Sequence, residues 1–268
     1  MKKKLFLHFL LFLGVFLLLW FLFSRIDYRR SLRIDDRMEK IEEVLGKWSL
    51  RFFLHEYQQI EHEEVDEYLG ELLSKLQASD NADHKEVEIY VLRSHEVNAF
   101  ALPGNRIIFL SGLFDFAESP EEVAGVLAHE LAHLQRGHVM QKLVKEIGVA
   151  TLFTLISGTY NMEALRAIAQ VITSTAYDRS LEREADTYAI AYLMEAGIDP
   201  QAFLAFLTRI GEEKDRFPRE LRWISTHPHP EDRVRELQRL IDEADDTDFA
   251  PLSRERWERF RAIVDRIS

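Results

Sequence analysis

One short pattern, His129-Glu130-Leu131-Ala132-His133, constrains this chain more than any other stretch. It lies in a segment that reads as an α-helix, because Pro120 with two acids behind it suits a first turn and apolar residues then recur at helical spacing. Residues four apart on a helix differ by about 40° in direction and about 6 Å in height, so His129 and His133 project from one face and can bind one metal ion. Glu130 lies about 100° round, where it can reach a water on that ion without binding the ion itself. The pattern therefore predicts a zinc hydrolase with Glu130 as its general base.

Composition narrows the classes of protein that remain. The chain has 268 residues, of which 47% are hydrophobic, so it can bury one sizeable core. Its 46 acidic residues outnumber its 34 Lys and Arg, which argues against nucleic-acid binding. Because the chain has no Cys, any metal must be held by His and carboxylates. It also has no Gly-x-Ser-x-Gly elbow, which weakens a serine-hydrolase interpretation.

The first residues predict a membrane anchor. Three Lys precede residues 5–23, an apolar run broken only by His8 and Gly14 and close to the roughly 20 residues that a spanning helix needs. A cleaved signal peptide is the alternative, but its apolar region is usually about 7–15 residues long and ends at small residues, whereas this run ends in bulky ones. We predict an uncleaved single-pass anchor over 1–24, with the catalytic domain outside the cytoplasm. Arginines after the span nearly cancel the charge signal for orientation.

The next segments predict helices and a small sheet. Residues 31–76 keep apolar stripes at helical spacing, and 25–45 form a linker or the start of that helix. Residues 87–93 alternate as a strand does, and 106–110 read as a second strand after the turn residues Pro103-Gly104-Asn105. Asn98-Ala99-Phe100-Ala101-Leu102 lies between them. It is interpreted either as the edge that pairs with an extended polypeptide substrate or as a plain structural hairpin.

A pair of acids further along supplies the missing ligand. Glu182 and Asp186 are four apart, so on a helix they share a face. Glu182 is predicted to be the third metal ligand, which leaves a fourth position for water. Asp186 is predicted to accept a hydrogen bond from the far ring nitrogen of a ligand histidine. Glu184 competes for the ligand role, but it points elsewhere on the same helix. For His138, packing or helix capping is expected.

Two apolar stretches, 147–160 and 165–176, lie between the second and third predicted ligands. Neither reaches the roughly 20 residues of an ordinary membrane span. Buried helices are the default prediction, and a hairpin dipping into the bilayer is the alternative. Because the segment must pass close to the metal, we also expect it to act as a mobile cover.

Several motifs together resemble one protein family. They are His129-Glu130-x-x-His133, Glu182-x-x-x-Asp186, Asn98-Ala99-Phe100-Ala101-Leu102-Pro103-Gly104 and Ser225-Thr226-His227-Pro228. Taken in their order along the chain, these motifs resemble those of the membrane-associated gluzincins. That group comprises HtpX-like proteases, CAAX-prenyl endopeptidases, mitochondrial inner-membrane quality-control peptidases and periplasmic outer-membrane-assembly peptidases. The resemblance covers roughly residues 60 to 240. Two positions depart from the usual pattern: Asp178 stands where Ser is usual and Asn105 where a second Gly is common.

The resemblance implies an α+β, mainly α, zincin-like metallopeptidase domain with a small β-sheet, here over 46–241. It implies one Zn²⁺ per chain, held by His129, His133 and Glu182. It also places His227 beside the metal, where it would donate to the oxyanion, bind zinc as a fourth ligand or merely cap the following helix. The implied function is membrane-anchored, zinc-dependent hydrolysis of peptide bonds in envelope protein quality control. The alternative is a catalytically idle, membrane-tethered chaperone or adaptor that keeps the zinc fold.

The last residues, 242–268, predict an acidic linker and a short amphipathic helix. Trp257, Phe260 and Ile263 fall on one stripe of that helix. Docking on the domain is one interpretation of the stripe, and binding of a protein partner is the other.

Overall fold

The computed structural model describes residues 34–149, 151–152, 162–244 and 248–267. The chain divides into two units, Met1–Glu42 and Glu43–Ser268. The predicted anchor over 1–24 and most of the apolar stretch 147–160 lie outside the described residues. Within the described ranges, no helix has both the length and the apolar character needed to cross a membrane.

Helices dominate the described part of the chain. They are α1 Ile34–Glu56, α2 Glu63–Gln77, α3 Gly112–Phe116, α4 Pro120–Gln135, α5 His138–Ile147, α6 Met162–Ser174, α7 Arg179–Glu195, α8 Gln201–Glu213, α9 Trp223–Thr226, α10 Pro230–Asp242 and α11 Arg254–Ile267. The strands are β1 Glu88–Leu92, β2 Ala99–Leu102 and β3 Arg106–Leu110. The predicted α+β, mainly α class is therefore confirmed, and both predicted strands are found within a residue or two of their expected ends.

The three strands form one mixed sheet in the order β1-β3-β2. β1 pairs in parallel with β3, and β2 pairs antiparallel to β3, so β2 lies at an edge. The turn between β2 and β3 places Gly104 and Asn105 at φ angles of 73° and 57°. Asn is one of the few non-glycine residues that adopt this left-handed region readily, which explains how Asn105 replaces the family's usual second Gly.

Helix α4 is the centre of the core. Ser119 caps it by accepting a hydrogen bond from the Glu122 N–H, and Pro120 begins the first turn. The helix is buried on nearly every side, and it packs against β2, α7 and α8. A Cβ atom on Gly125 would lie 2.6 Å from Phe203 Cβ on α8, so only glycine allows the two helices to approach this closely.

The later part of α1 packs on the β2–β3 hairpin. Phe53 stacks on Phe100 of β2 with ring centroids 5.6 Å apart. Arg106 of β3 forms ion pairs with Glu43 at 3.2 Å and with Glu88 of β1 at 2.7 Å. These contacts tie α1 to both strands of the hairpin and β3 to β1.

The predicted stripe of α11 docks within the chain. Trp257, Phe260, Ile263 and Val264 are buried, and the Phe260 ring lies 4.7 Å from Tyr68 of α2 and 4.9 Å from Phe114 of α3. The docking interpretation of the stripe is therefore confirmed. The second apolar stretch also behaves as predicted, because α6 buries Leu165, Ile168, Ala169 and Ile172.

Candidate metal centre

Four side chains meet in the core with their nitrogen and oxygen atoms turned toward one another. His129, His133, Glu182 and His227 each offer one ligand atom, and these atoms all lie within 4.8 Å of one another. His133 Nε2 lies 3.0 Å from His129 Nε2 and 3.2 Å from Glu182 Oε1, and His227 Nδ1 lies 3.0 Å from Glu182 Oε1. Ligand atoms about 2.0–2.2 Å from a tetrahedral zinc ion would be separated by about 3.3–3.6 Å. The cluster fits such an ion with small adjustments.

Two helices supply the first three members of this group. His129 and His133 are one turn apart on α4, and Glu182 lies in the first turn of α7, which packs along α4. All three are at least 97% buried. Glu184 points away from the group and forms an ion pair with Arg136 at 2.9 Å, as the helical spacing predicts. The fold thus brings together the three predicted ligands and excludes their competitor.

Asp186 supports His129 from behind. His129 turns Nε2 toward the cluster, and its Nδ1 lies 3.0 Å from Asp186 Oδ1, the contact that the sequence predicts. A carboxylate in this position fixes the histidine with its proton on Nδ1, which leaves Nε2 free to bind a metal.

Arg233 is a member of the site that the sequence analysis missed. It lies in the first turn of α10, is 94% buried and donates two hydrogen bonds to Asp186, from Nε at 2.7 Å and from Nη2 at 2.6 Å. Its Nη1 lies 2.9 Å from Glu182 Oε2. A single guanidinium therefore contacts both buried carboxylates. The available sequence signal was the position of this arginine one turn into the helix that follows Thr226-His227-Pro228.

The buried charged groups of the site shift one another's pKa values. Burial alone would raise the pKa of Glu182, but His227 and Arg233 outweigh it and hold that pKa well below its usual value. Burial alone would likewise raise the pKa of Asp186, but Arg233 outweighs burial and the pKa of Asp186 lies below its usual value. Burial, with His129 beside it, lowers the pKa of His133 to about 3. The site therefore keeps anionic carboxylates and a neutral His133, the protonation states that metal binding requires.

Glu130 lies beside the four residues and is not one of them. Its Oε2 accepts a hydrogen bond of 2.9 Å from the backbone N–H of Ala101 on β2, and its Oε1 lies 3.3 Å from His227 Nε2. Burial raises the pKa of Glu130, yet His227 outweighs burial and the net shift is downward. The carboxylate is thus anionic, held at one oxygen and turned toward the cluster at the other, which suits a base.

His227 follows the short helix α9, and local contacts fix its direction. Its ring stacks on Trp223 at 4.5 Å, and its backbone N–H donates to Trp223 O at 2.8 Å. Burial lowers its pKa, but Glu182 and Glu130 outweigh burial and raise it. The N-cap position of α10 belongs to His229, at a φ of 63°, so the alternative of His227 as the helix cap is wrong.

Tyr177 and Lys142 pack beside the metal-ligand cluster, and sequence reasoning missed both of them. The Tyr177 ring stacks on His133 at 4.0 Å, and Lys142 Nζ lies 4.0 Å above the Tyr177 ring. The Tyr177 N–H donates to Thr226 O at 3.1 Å, which ties it to the loop that carries His227. Burial raises the pKa of Tyr177 well above its usual value, so the phenol stays neutral.

Known proteins with similar sequences share this region. The chain is 29% identical over 216 residues to a putative beta-barrel assembly-enhancing protease of Vibrio cholerae, covering 76% of this chain and 44% of that protein. It is 25% identical over 179 residues to the mitochondrial metalloendopeptidase OMA1 of Schizosaccharomyces pombe, covering 66% of this chain and 53% of the relative. It thus spans about half the length of these relatives. Residues 61–241, which include every site residue described above, match the family model described as Peptidase family M48. The chain therefore belongs to peptidase family M48.

Proposed function

We propose that this chain is a zinc-dependent endopeptidase that hydrolyses peptide bonds of proteins. One observation carries the proposal: four buried ligand atoms lie within 4.8 Å of one another, with the anionic Glu130 beside them. Membership of a peptidase family supports it.

The side chains divide the work. His129, His133 and Glu182 would hold one Zn²⁺, which when bound supplies a Lewis acid that lowers the pKa of water from 15.7 to about 7. Glu130 takes a proton from the attacking water and passes it to the leaving amine, a contribution of about 10²–10⁴-fold. Asp186 keeps His129 in the required tautomer, and Arg233 keeps Asp186 in place.

For His227, the contacts support a ligand role over an oxyanion donor. Its Nδ1 lies 3.2 Å from His129 Nε2, inside the group of metal-facing atoms, while its Nε2 faces Glu130. With His227 bound, the zinc site would have four protein ligands, which is typical of a closed site. We propose that His227 must move out of the ligand cluster before the enzyme can cleave a substrate.

The edge strand β2 offers a place for an extended polypeptide. Leu110 N–H donates to Asn98 O, and alternation along an antiparallel pair then turns the backbone groups of Ala99 and Ala101 toward the edge that faces away from β3. Both N–H groups on that edge are already used, by Asn98 Oδ1 at 3.0 Å and by Glu130 Oε2 at 2.9 Å. The carbonyls of Ala99 and Ala101 lie on this edge, and both residues are buried in this structure. We propose that a substrate strand donates its N–H groups to these carbonyls once the edge is uncovered.

The cellular setting is proposed from the sequence and from the relatives' names. A single anchor over 1–24 would hold the enzyme at a membrane with residues 46–241 outside the cytoplasm, acting in envelope protein quality control. The relatives are named for beta-barrel assembly and for mitochondria. A reporter fused after Ser268 that works only outside the cytoplasm should be active, and activity of a cytoplasmic reporter alone would reject this orientation. A protein partner at α11 would have to use its charged face, because its apolar stripe is buried.

Two measurements on the full chain in detergent test the enzyme proposal. Elemental analysis should find one zinc per chain in the parent and much less in Glu182→Ala, while the exposed-acid control Glu71→Ala keeps its zinc. Cleavage of an unfolded model protein should be lost in Glu130→Gln although its zinc content is unchanged. A parent that holds zinc and suppresses aggregation, but cleaves no faster than Glu130→Gln, would favour the chaperone or adaptor alternative. Proteins that accumulate intact in cells carrying Glu130→Gln would then identify substrates.

A further inference from the structure

A tight turn after α4 brings His138 beneath the active-site helix. The helix ends at Gln135, Gly137 adopts a φ of 69°, and α5 begins at His138. A continued helix would have placed His138 about 140° away from His133. Instead the left-handed glycine redirects the chain, and the His138 side chain is fully buried against His133.

The contact is made by one nitrogen of each ring. His138 Nδ1 lies 3.1 Å from His133 Nδ1, and the ring planes meet edge to face at 74° with centroids 5.0 Å apart. Two ring nitrogens at this distance share one proton, so one of them donates and the other accepts.

The direction of that hydrogen bond follows from the rest of the site. His133 turns Nε2 toward His129 and Glu182, so a neutral His133 that binds metal through Nε2 carries its proton on Nδ1. His138 must then accept at Nδ1 and carry its own proton on Nε2. That nitrogen is buried without a hydrogen-bond partner among the described residues, and it lies 3.5 Å from the charged Oε2 of Glu184. Glu184 forms an ion pair with Arg136 at 2.9 Å.

We propose that His138 is a positioning residue that fixes the tautomer and ring orientation of His133, and that the nearby negative charge of Glu184 favours the proton on His138 Nε2. This inference rests on the proposed function in one respect: His133 must be a zinc ligand. The two ligand histidines are then supported differently. His129 contacts the buried carboxylate of Asp186. His133 contacts the neutral imidazole of His138, whose neighbouring carboxylate, Glu184, is 39% exposed. A metal ligand is sensitive to such support, because the outer hydrogen bond sets both its direction and its basicity.

The experiment compares two replacements of His138 in the full chain. His138→Leu fills a similar volume but removes the acceptor, whereas His138→Asn keeps an oxygen acceptor near the position of Nδ1. Competition with a chelator should show zinc binding about 10–100-fold weaker in His138→Leu, and largely restored in His138→Asn. The absorption spectrum of the cobalt-substituted protein should change in the leucine variant and return toward the parent's in the asparagine variant.

Controls separate positioning from a loss of stability. Leu72→Ala removes a buried side chain of α2, a helix that contributes no residue to the metal centre, so it should lower the free energy of unfolding without changing zinc affinity. Equal zinc affinity in His138→Leu and the parent, or an equal loss in the leucine and asparagine variants, would overturn the inference. If His138→Leu does not fold, Glu184→Ala decides, because its side chain is at the surface. Weaker zinc binding than in the matched salt-bridge control Glu71→Ala supports the inference, and no difference overturns it. A parent without zinc would instead reject the proposed function, which is a separate result.

Discussion

Arg233 and Asp186 form a buried ion pair with two hydrogen bonds, one from Nε at 2.7 Å and one from Nη2 at 2.6 Å. Arg233→Met should therefore leave Asp186 as an unpaired buried charge and lower the free energy of unfolding by about 3–5 kcal/mol. Adding Asp186→Asn should recover part of that loss, because the unpaired charge is then gone. Urea unfolding of the parent, both single variants and the double variant measures the coupling. Additive losses would show that the pair is not coupled in the way its geometry indicates.

His227→Ala should speed cleavage of an unfolded protein several-fold and weaken zinc binding, since it removes the proposed fourth ligand. The reason is geometric: His227 Nδ1 lies among the metal-facing atoms, 3.0 Å from Glu182 Oε1. Steady-state kinetics on the full chain check this. A fall in kcat of about 10²–10³-fold at constant KM would instead identify His227 as a donor to the oxyanion.

Two glycine substitutions should have opposite effects on stability. A Cβ on Gly125 would meet Phe203 Cβ at 2.6 Å and the Phe203 ring at 2.9 Å, so Gly125→Ala should lower the free energy of unfolding by about 1–3 kcal/mol. Gly70 lies inside α2 with nothing within 4 Å of its added Cβ, so Gly70→Ala should raise that free energy by about 0.5–1 kcal/mol. Urea unfolding compares them. A stabilised Gly125→Ala protein would contradict the close approach of α4 and α8.

Lys142→Met should stabilise the protein at neutral pH, with a gain that shrinks as the pH rises. Burial lowers the pKa of Lys142 from 10.5 to about 8, so between these values the unfolded chain binds a proton that the folded chain does not. Stability therefore increases with pH across this window, and the cost of charging the buried amine is fully present below about pH 8.

The gain at neutral pH should be about 3 kcal/mol or less, because the substitution also removes the hydrogen bond from Nζ to Ile172 O at 3.2 Å. The difference in unfolding free energy between variant and parent, followed from neutrality to above pH 10.5, isolates this group from others that titrate in the same range. A difference that does not change with pH would contradict the lowered pKa.

The local sequence pattern was sufficient to predict helix α4 and strands β1 and β3. Ser119, Pro120 and the spacing of apolar residues predict α4, since capping and periodicity depend on neighbours in the chain. The same reasoning located β1 and β3 to within a residue or two. It could not rank the two interpretations of Asn98–Leu102, because the edge position of β2 follows from the parallel pairing of β1 with β3. Such pairing between distant strands leaves no local signature.

The supporting residues show where sequence reasoning ended. Arg233 contacts the cluster from the first turn of α10 and Tyr177 from the segment between α6 and α7, and neither belongs to a pair at helical spacing that would reveal its role. The sequence predicts core packing or helix capping for His138, because a continued helix would point its side chain away from His133. One positive φ at Gly137 changes that direction, and a single backbone angle of this kind is decided by what the following helix can pack against.

The sequence by itself determined the candidate residues of the site: two histidines on one helical face, a glutamate between them as the predicted base, and a downstream acid four residues before another. These are relations within single helices, and the geometry of a helix converts residue number directly into direction. Only the tertiary structure decided that α4, α7, the loop after α9 and the first turn of α10 meet at one point. It also decided that the Ala101 N–H donates to Glu130 and that Arg233 contacts two carboxylates. Distances between residues far apart in the chain are set by the packing of whole elements, which depends on all of their buried side chains together.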